Sequence, residues 1–89
     1  MVLTQRRLVL HALAKLHAVD PEEHWTDREI LGWLRSRSNR NLEMTTIRVA
    51  RRHLEREGWA TRGPRRTQAN GRTARGSMIT ADGLKEIHG

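Results

Sequence analysis

The 89-residue chain contains no cysteine. That excludes disulfides, thiolate nucleophiles and cysteine-ligated zinc, and it fits a reducing cytoplasm. Long apolar runs are also missing. The most apolar segment, "LVLHALAKL", is broken by His11 and Lys15 and follows Arg6 and Arg7, so nothing approaches the ~18 consecutive apolar residues of a membrane span. A basic start before an apolar stretch imitates a secretory signal, but no small-residue cleavage site follows, and the segment reads as mature protein. No nucleophile elbow, paired carboxylates or Walker-type phosphate loop is present, and the glycines of "GPRRTQANGRTARG" lack the Walker spacing. His11, His17 and His24 do not have the i, i+3 or i, i+4 spacing that places two ligands on one helical face. The chain is therefore expected to be neither an enzyme nor a holder of metal or cofactor.

The most informative absence is that of acids. From Gly58 to Ala81 there is no aspartate or glutamate. The formal net charge is +7, and it is unevenly placed. Between Thr45 and Ala81 stand nine arginines against two glutamates, whereas Met1 to Met44 is almost balanced. Fifteen of the seventeen basic residues are arginine, the side chain that forks onto phosphate and guanine. A surface evolved for solubility intersperses both signs. This one does not, and a polyanionic partner follows.

Apolar periodicity outlines the elements. Leu8, Val9, Ala12, Leu13 and Leu16 recur at helical spacing from Thr4 to about His17. Thr4 is the expected N-cap, with Leu3 and Leu8 as a hydrophobic staple. Pro21 breaks this helix. "WTDREILGWLR" then opens a second, with Thr26 and Glu29 as a capping box and Trp25 with Ile30 as a staple. A polar turn, "SRSNRN", leads to a third helix from about Thr45 to Glu57, stopped by Gly58 in a left-handed conformation. Ile47, Ala50 and Leu54 form its inward stripe, and Thr45, Arg48, Val49, Arg52 and Arg56 lie opposite. Arg51 falls at the stripe's edge, its stem packed and its head in solvent.

Beyond Gly58 the pattern changes to a hairpin over about residues 59–80. Asn70-Gly71 suits a tight type I′ turn, which would set Arg66 opposite Arg75 and Arg62 opposite Ile79; a longer loop is the alternative. Like charges facing across strands are unfavourable, a conflict that a phosphate backbone would relieve. "ITADGLKEIHG" closes the chain with about two helical turns capped by Thr80, weakened by Gly83 and leaning on the first helix through Leu84 and Ile87. Trp25, Trp33 and Trp59 occupy core-like positions rather than acting as stacking platforms.

This order of elements resembles a winged helix-turn-helix domain. The resemblance rests on "TTIRVARRHLEREGWATR", similar to a recognition helix ending in Leu-Glu-x-x-Gly, and on "SMITADGLKEI", similar to the return from the wing in multiple-antibiotic-resistance-type regulators. "LTQRRLVLHAL" is also similar to the first helix of ferric-uptake-type regulators, whose metal-binding dimerisation domain does not fit in 89 residues. Arg51 departs from the pattern, standing where many relatives have an apolar residue, and Val49 stands where many have a basic one. The expected fold is thus α+β and mainly α, a single winged helix-turn-helix domain over residues 1–89 with a three-helix bundle, a basic wing and a short C-terminal helix.

The expected function is sequence-specific binding of double-stranded DNA by a transcriptional regulator of bacterial or phage type, cytoplasmic and nucleoid-associated. Thr45, Thr46, Arg48, Val49 and Arg52 are candidates for major-groove contact, with Val49 placed for a thymine methyl and Arg48 or Arg52 for guanine. Arg56 is assigned to the DNA backbone, and Arg51 is grouped with the same surface. The wing arginines Arg62, Arg65, Arg66, Arg72 and Arg75 are expected along phosphates or in an adjacent minor groove. Binding as a homodimer and as cooperative monomers are both open. The alternatives are an architectural or replication-initiation protein of a phage or plasmid, and a winged-helix module that binds protein or RNA.

Overall fold

Thr4 opens the first helix as its spacing predicts. In the computed structural model, which describes residues 4–37, 41–67 and 71–88, its hydroxyl accepts from the Arg7 N–H at 3.3 Å and starts α1 (Gln5–Val19). Leu3, half of the expected staple, lies outside the described residues. The second helix, α2 (Asp27–Ser36), carries the complete capping box: Thr26 Oγ1 accepts from Glu29 N–H, and Glu29 Oε1 accepts from Thr26 N–H. The third, α3 (Met44–Arg56), begins one residue before its expected start, after Glu43. Its approach is held by Arg35, whose Nε and Nη2 both donate to the Leu42 carbonyl.

The end of α3 follows from Gly58. With φ at 79°, a value costly for residues with a Cβ, Gly58 lets its own N–H reach Glu55 O and the Trp59 N–H reach Leu54 O. These two bonds satisfy carbonyls that the helix end would otherwise orphan. The chain emerges directly into β1 (Ala60–Thr67), which pairs antiparallel with β2 (Thr73–Ile79), and α4 (Ala81–His88) follows. The architecture is α+β and mainly helical.

One core joins these elements. Leu10 and Leu13 of α1, Ile30 of α2, and Ile47 and Leu54 of α3 are fully buried, with Ala60 and Ile79 closing it at the base of the hairpin. Burying each such leucine or isoleucine contributes about 1.5–3 kcal/mol. Trp25, Trp33 and Trp59 pack half-buried against this core, as do Leu84 and Ile87. An Arg7–Glu86 pair of 3.5 Å bridges α1 and α4.

The hairpin register differs from the two-residue-turn expectation. Arg62 pairs with Ser77 rather than Ile79, and Arg75 faces Arg65 rather than Arg66. The last pair among the described residues is Thr67 with Thr73, a register that a two-residue Asn70-Gly71 turn does not give; Asn70 lies outside the described residues. That register displaces the tip-side pairs by one position, and a bulge between Arg62 and Arg65 adds one more below them. The bulge contains Pro64, which lacks a ladder donor and is tolerated at such irregularities. The like-charge conflict survives in a neighbouring pair.

The far face of the hairpin is covered by the α1–α2 connection. Trp25 and Ser77 exchange two backbone hydrogen bonds of 2.7 Å, a one-residue bridge on the free edge of β2. A Cβ on Gly76 would stand 2.5 Å from the His24 backbone, and one on Gly63 would strike the His24 ring. These glycines exist for close approach.

Gly83 has a similar role, beyond the weakness that its helix propensity brings to α4. A Cβ there would meet the Trp59 carbonyl and the Ile79 side chain. Thr80 ties the same corner: its hydroxyl donates to Gly58 O at 2.7 Å and accepts from Gly83 N–H. Helix propensity alone makes Gly83→Ala stabilising by about 1 kcal/mol. The steric clash reverses that sign, and thermal unfolding of Gly83→Ala should show a loss of about 1–2 kcal/mol.

Candidate nucleic-acid interface

The bulge has a consequence for charge. In a regular strand, residues 62 and 65 face opposite sides. Because one extra residue intervenes, Arg62 and Arg65 pair with Ser77 and Arg75, two positions apart on β2, and so share a face. That face looks toward α3 and the start of α2. Between them runs an open groove of about 740 Å³ lined by Arg28, Arg48, Arg51, Arg52, Arg62, Arg65, Arg72 and Arg75, with Asp27 the one acid among the described residues of its wall.

Geometry and electrostatics agree that the groove is short of negative charge. Burial, together with the guanidinium groups of Arg51 and Arg75, pushes Arg62 below its ordinary pKa, and Glu55 and Asp27 only partly offset this. Arginine remains charged throughout, so the shift marks partial desolvation first and the neighbouring guanidinium groups second, not a titration. Arg75 is held in place by donating from Nε to Gly63 O at 3.0 Å. An anion placed here relieves repulsion already present in the protein.

The predicted site residues separate into groups. Arg48, Arg52, Arg62, Arg65, Arg72 and Arg75 come together in the groove. Thr45, Val49 and Arg56 are exposed on the adjoining outward face of α3, and Thr46 is half-buried beside them. Val49 is 49% exposed and borders a smaller hollow shared with Thr4, Gln5, Arg6, Ala50 and His53.

Two assignments need correction. Arg51 is only 4% exposed, its head paired within the groove wall instead of standing free in solvent. Nε donates to Asp27 Oδ1 at 2.7 Å and Nη1 to Glu55 Oε1 at 2.5 Å. Burial alone would lower its pKa, but the bonds to the two carboxylates outweigh burial and raise it. Arg51 is thus an internal tie between α2 and α3, and it neutralises Asp27, the acid on the groove wall. Arg66 also differs. It pairs with Ala74 on the opposite face of the hairpin, donates from Nη2 to the His24 carbonyl at 2.7 Å and pairs with Glu23.

Sequence reasoning missed Arg28 and Arg6. Arg28 lies in the first turn of α2, where the helix dipole disfavours a cation; that mismatch was the available signal. Arg6 joins the surface only because α1 begins beside α3.

The fold and this groove define an α+β domain, mainly helical, with one strongly cationic cleft. No protein-family model matches the chain, and no curated protein matches its sequence. Among the described residues no helix is long and apolar enough to cross a membrane, and no group of three or more histidine, aspartate or glutamate side chains is arranged to hold a metal.

Proposed function

We propose that the protein is a winged helix-turn-helix domain that binds double-stranded DNA with sequence preference, as a transcriptional regulator associated with the nucleoid. The observation carrying this reading is the convergence of arginines from α2, α3 and the hairpin on one groove. Arginines from three elements need not crowd one space unless something anionic lies between them. A helix ~10 Å across fits the ~12 Å major groove of B-DNA, and the outward face of α3 offers Thr45, Arg48, Val49 and Arg52 to base edges. Arg62, Arg65 and Arg75 then follow the phosphate backbone beside it.

The test is a salt titration of purified protein against random duplex, combined with selection of a preferred sequence from a random pool. A steep linear fall of log affinity with log salt is expected on all DNA, with a preference of ~10³ or more for the selected site. Weak, salt-insensitive binding to every duplex would refute the proposal. Arg52→Ala should reduce discrimination at one base position by roughly tenfold, as loss of a bidentate guanine contact does. An unchanged selected motif for that variant rules Arg52 out as a base reader.

A further inference from the structure

We infer that Arg66 is a positioning residue for the DNA-binding face, rather than a phosphate contact, and that Glu23 and the His24 carbonyl are its anchor. The inference rests on the DNA-binding reading for its consequence but on geometry for its origin. A two-stranded hairpin has little stability by itself, and this one projects beyond the core: its residues from Pro64 to Thr67 on β1 are all exposed. The α1–α2 connection braces its far face at two levels. The lower brace is the Trp25–Ser77 bridge. The upper one is Arg66, paired across the strands with Ala74, three residues or ~10 Å farther toward the tip.

The upper brace aims a neighbour. Successive strand residues face opposite sides, so fixing Arg66 against the connection turns Arg65 into the groove that it lines. Arg66 meanwhile has its charge satisfied by Glu23 and one donor taken by His24. A cation held on the far face neutralises no phosphate in the groove and so adds nothing to counterion release when DNA binds there. The side chains of Arg66 and Glu23 are 45% and 31% exposed, so the brace is weak, of the strength of an exposed pair helped by one carbonyl.

Two substitutions separate bracing from contact. Arg66→Gln and Glu23→Gln should each weaken duplex binding about threefold, since a loosened hairpin must be ordered on binding. Both should leave the salt slope within ~0.3 of the parent value. A phosphate contact behaves differently in both variants. Arg66→Gln then lowers the slope by ~0.9, and Glu23→Gln, which removes a negative charge, strengthens binding. Either result overturns the inference.

Amide hydrogen exchange without DNA supplies the independent readout. Both variants should speed exchange of the β1–β2 ladder near Arg65 and Thr73 while α1 and α3 keep their protection. Unchanged hairpin exchange overturns the brace even if the parent protein binds DNA. Faster exchange in a protein that binds no duplex supports the brace and refutes the proposed function instead.

Discussion

Arg51→Ala is expected to lower the free energy of unfolding by about 3 kcal/mol, the low end of the range for breaking a buried ion pair from one side. The low end applies because the stranded partners are not wholly enclosed: the Asp27 and Glu55 side chains keep 17% and 21% of their exposure. For a domain whose total stability is of order 5–10 kcal/mol, this is a large fraction. Urea unfolding measures it directly. Arg52→Ala, one residue along the same helix but exposed, should change stability by less than ~0.5 kcal/mol. The mechanism is checked by repeating Arg51→Ala in an Asp27→Ala background, where the cost should shrink by at least ~1 kcal/mol because one stranded charge is already gone. If Arg51→Ala unfolds within ~0.5 kcal/mol of the parent, Arg51 is not the tie between α2 and α3 described above.

The same residue shows what the sequence could and could not disclose. Thr26 with Glu29, and Gly58 after Leu54, are readable because each device is complete within a few residues. Each forms the bonds its pattern implies. The inward stripe of α3 is readable for the same reason, since periodicity is local. Arg51 sits at the margin of that stripe, and helical phase alone cannot decide which way a long side chain at a margin turns. Its partner Glu55 stands at i, i+4 on the same helix, a local spacing. The partner that draws it inward, Asp27, comes from another helix 24 residues earlier.

The hairpin repeats the lesson. Asn70-Gly71 suggested a short turn, but turn propensity is one contribution among several. The register also has to satisfy Pro64, the approach of His24 to Gly63 and Gly76, and the Trp25–Ser77 bridge. All but the first of these act through His24 and Trp25 of the α1–α2 connection, remote from the hairpin in sequence. The shift by one position moves Arg65 to face Arg75 and turns Arg66 outward to Glu23. Counting arginines identified the surface; only the bulge decided which of them share it.

Neutralising the hairpin's contribution should move stability and binding in opposite directions. The double substitution Arg62→Gln and Arg65→Gln removes one cation from beside Arg51 and Arg75 and another from directly opposite Arg75. Relieving those like-charge contacts should raise unfolding stability by about 0.5–1 kcal/mol, seen as a higher thermal midpoint at low salt with the gain fading as salt is added. Duplex binding should fall by roughly 10²-fold, because two charge-assisted contacts of about 1.5 kcal/mol each are lost. The salt slope should drop by ~1.8, two counterions fewer. Stability gained with binding lost is the signature of side chains held in mutual repulsion for the sake of a ligand. A solvated surface of unrelated arginines predicts a different pair of results: the thermal midpoint rises in the same way, while affinity and slope on duplex DNA stay where they were.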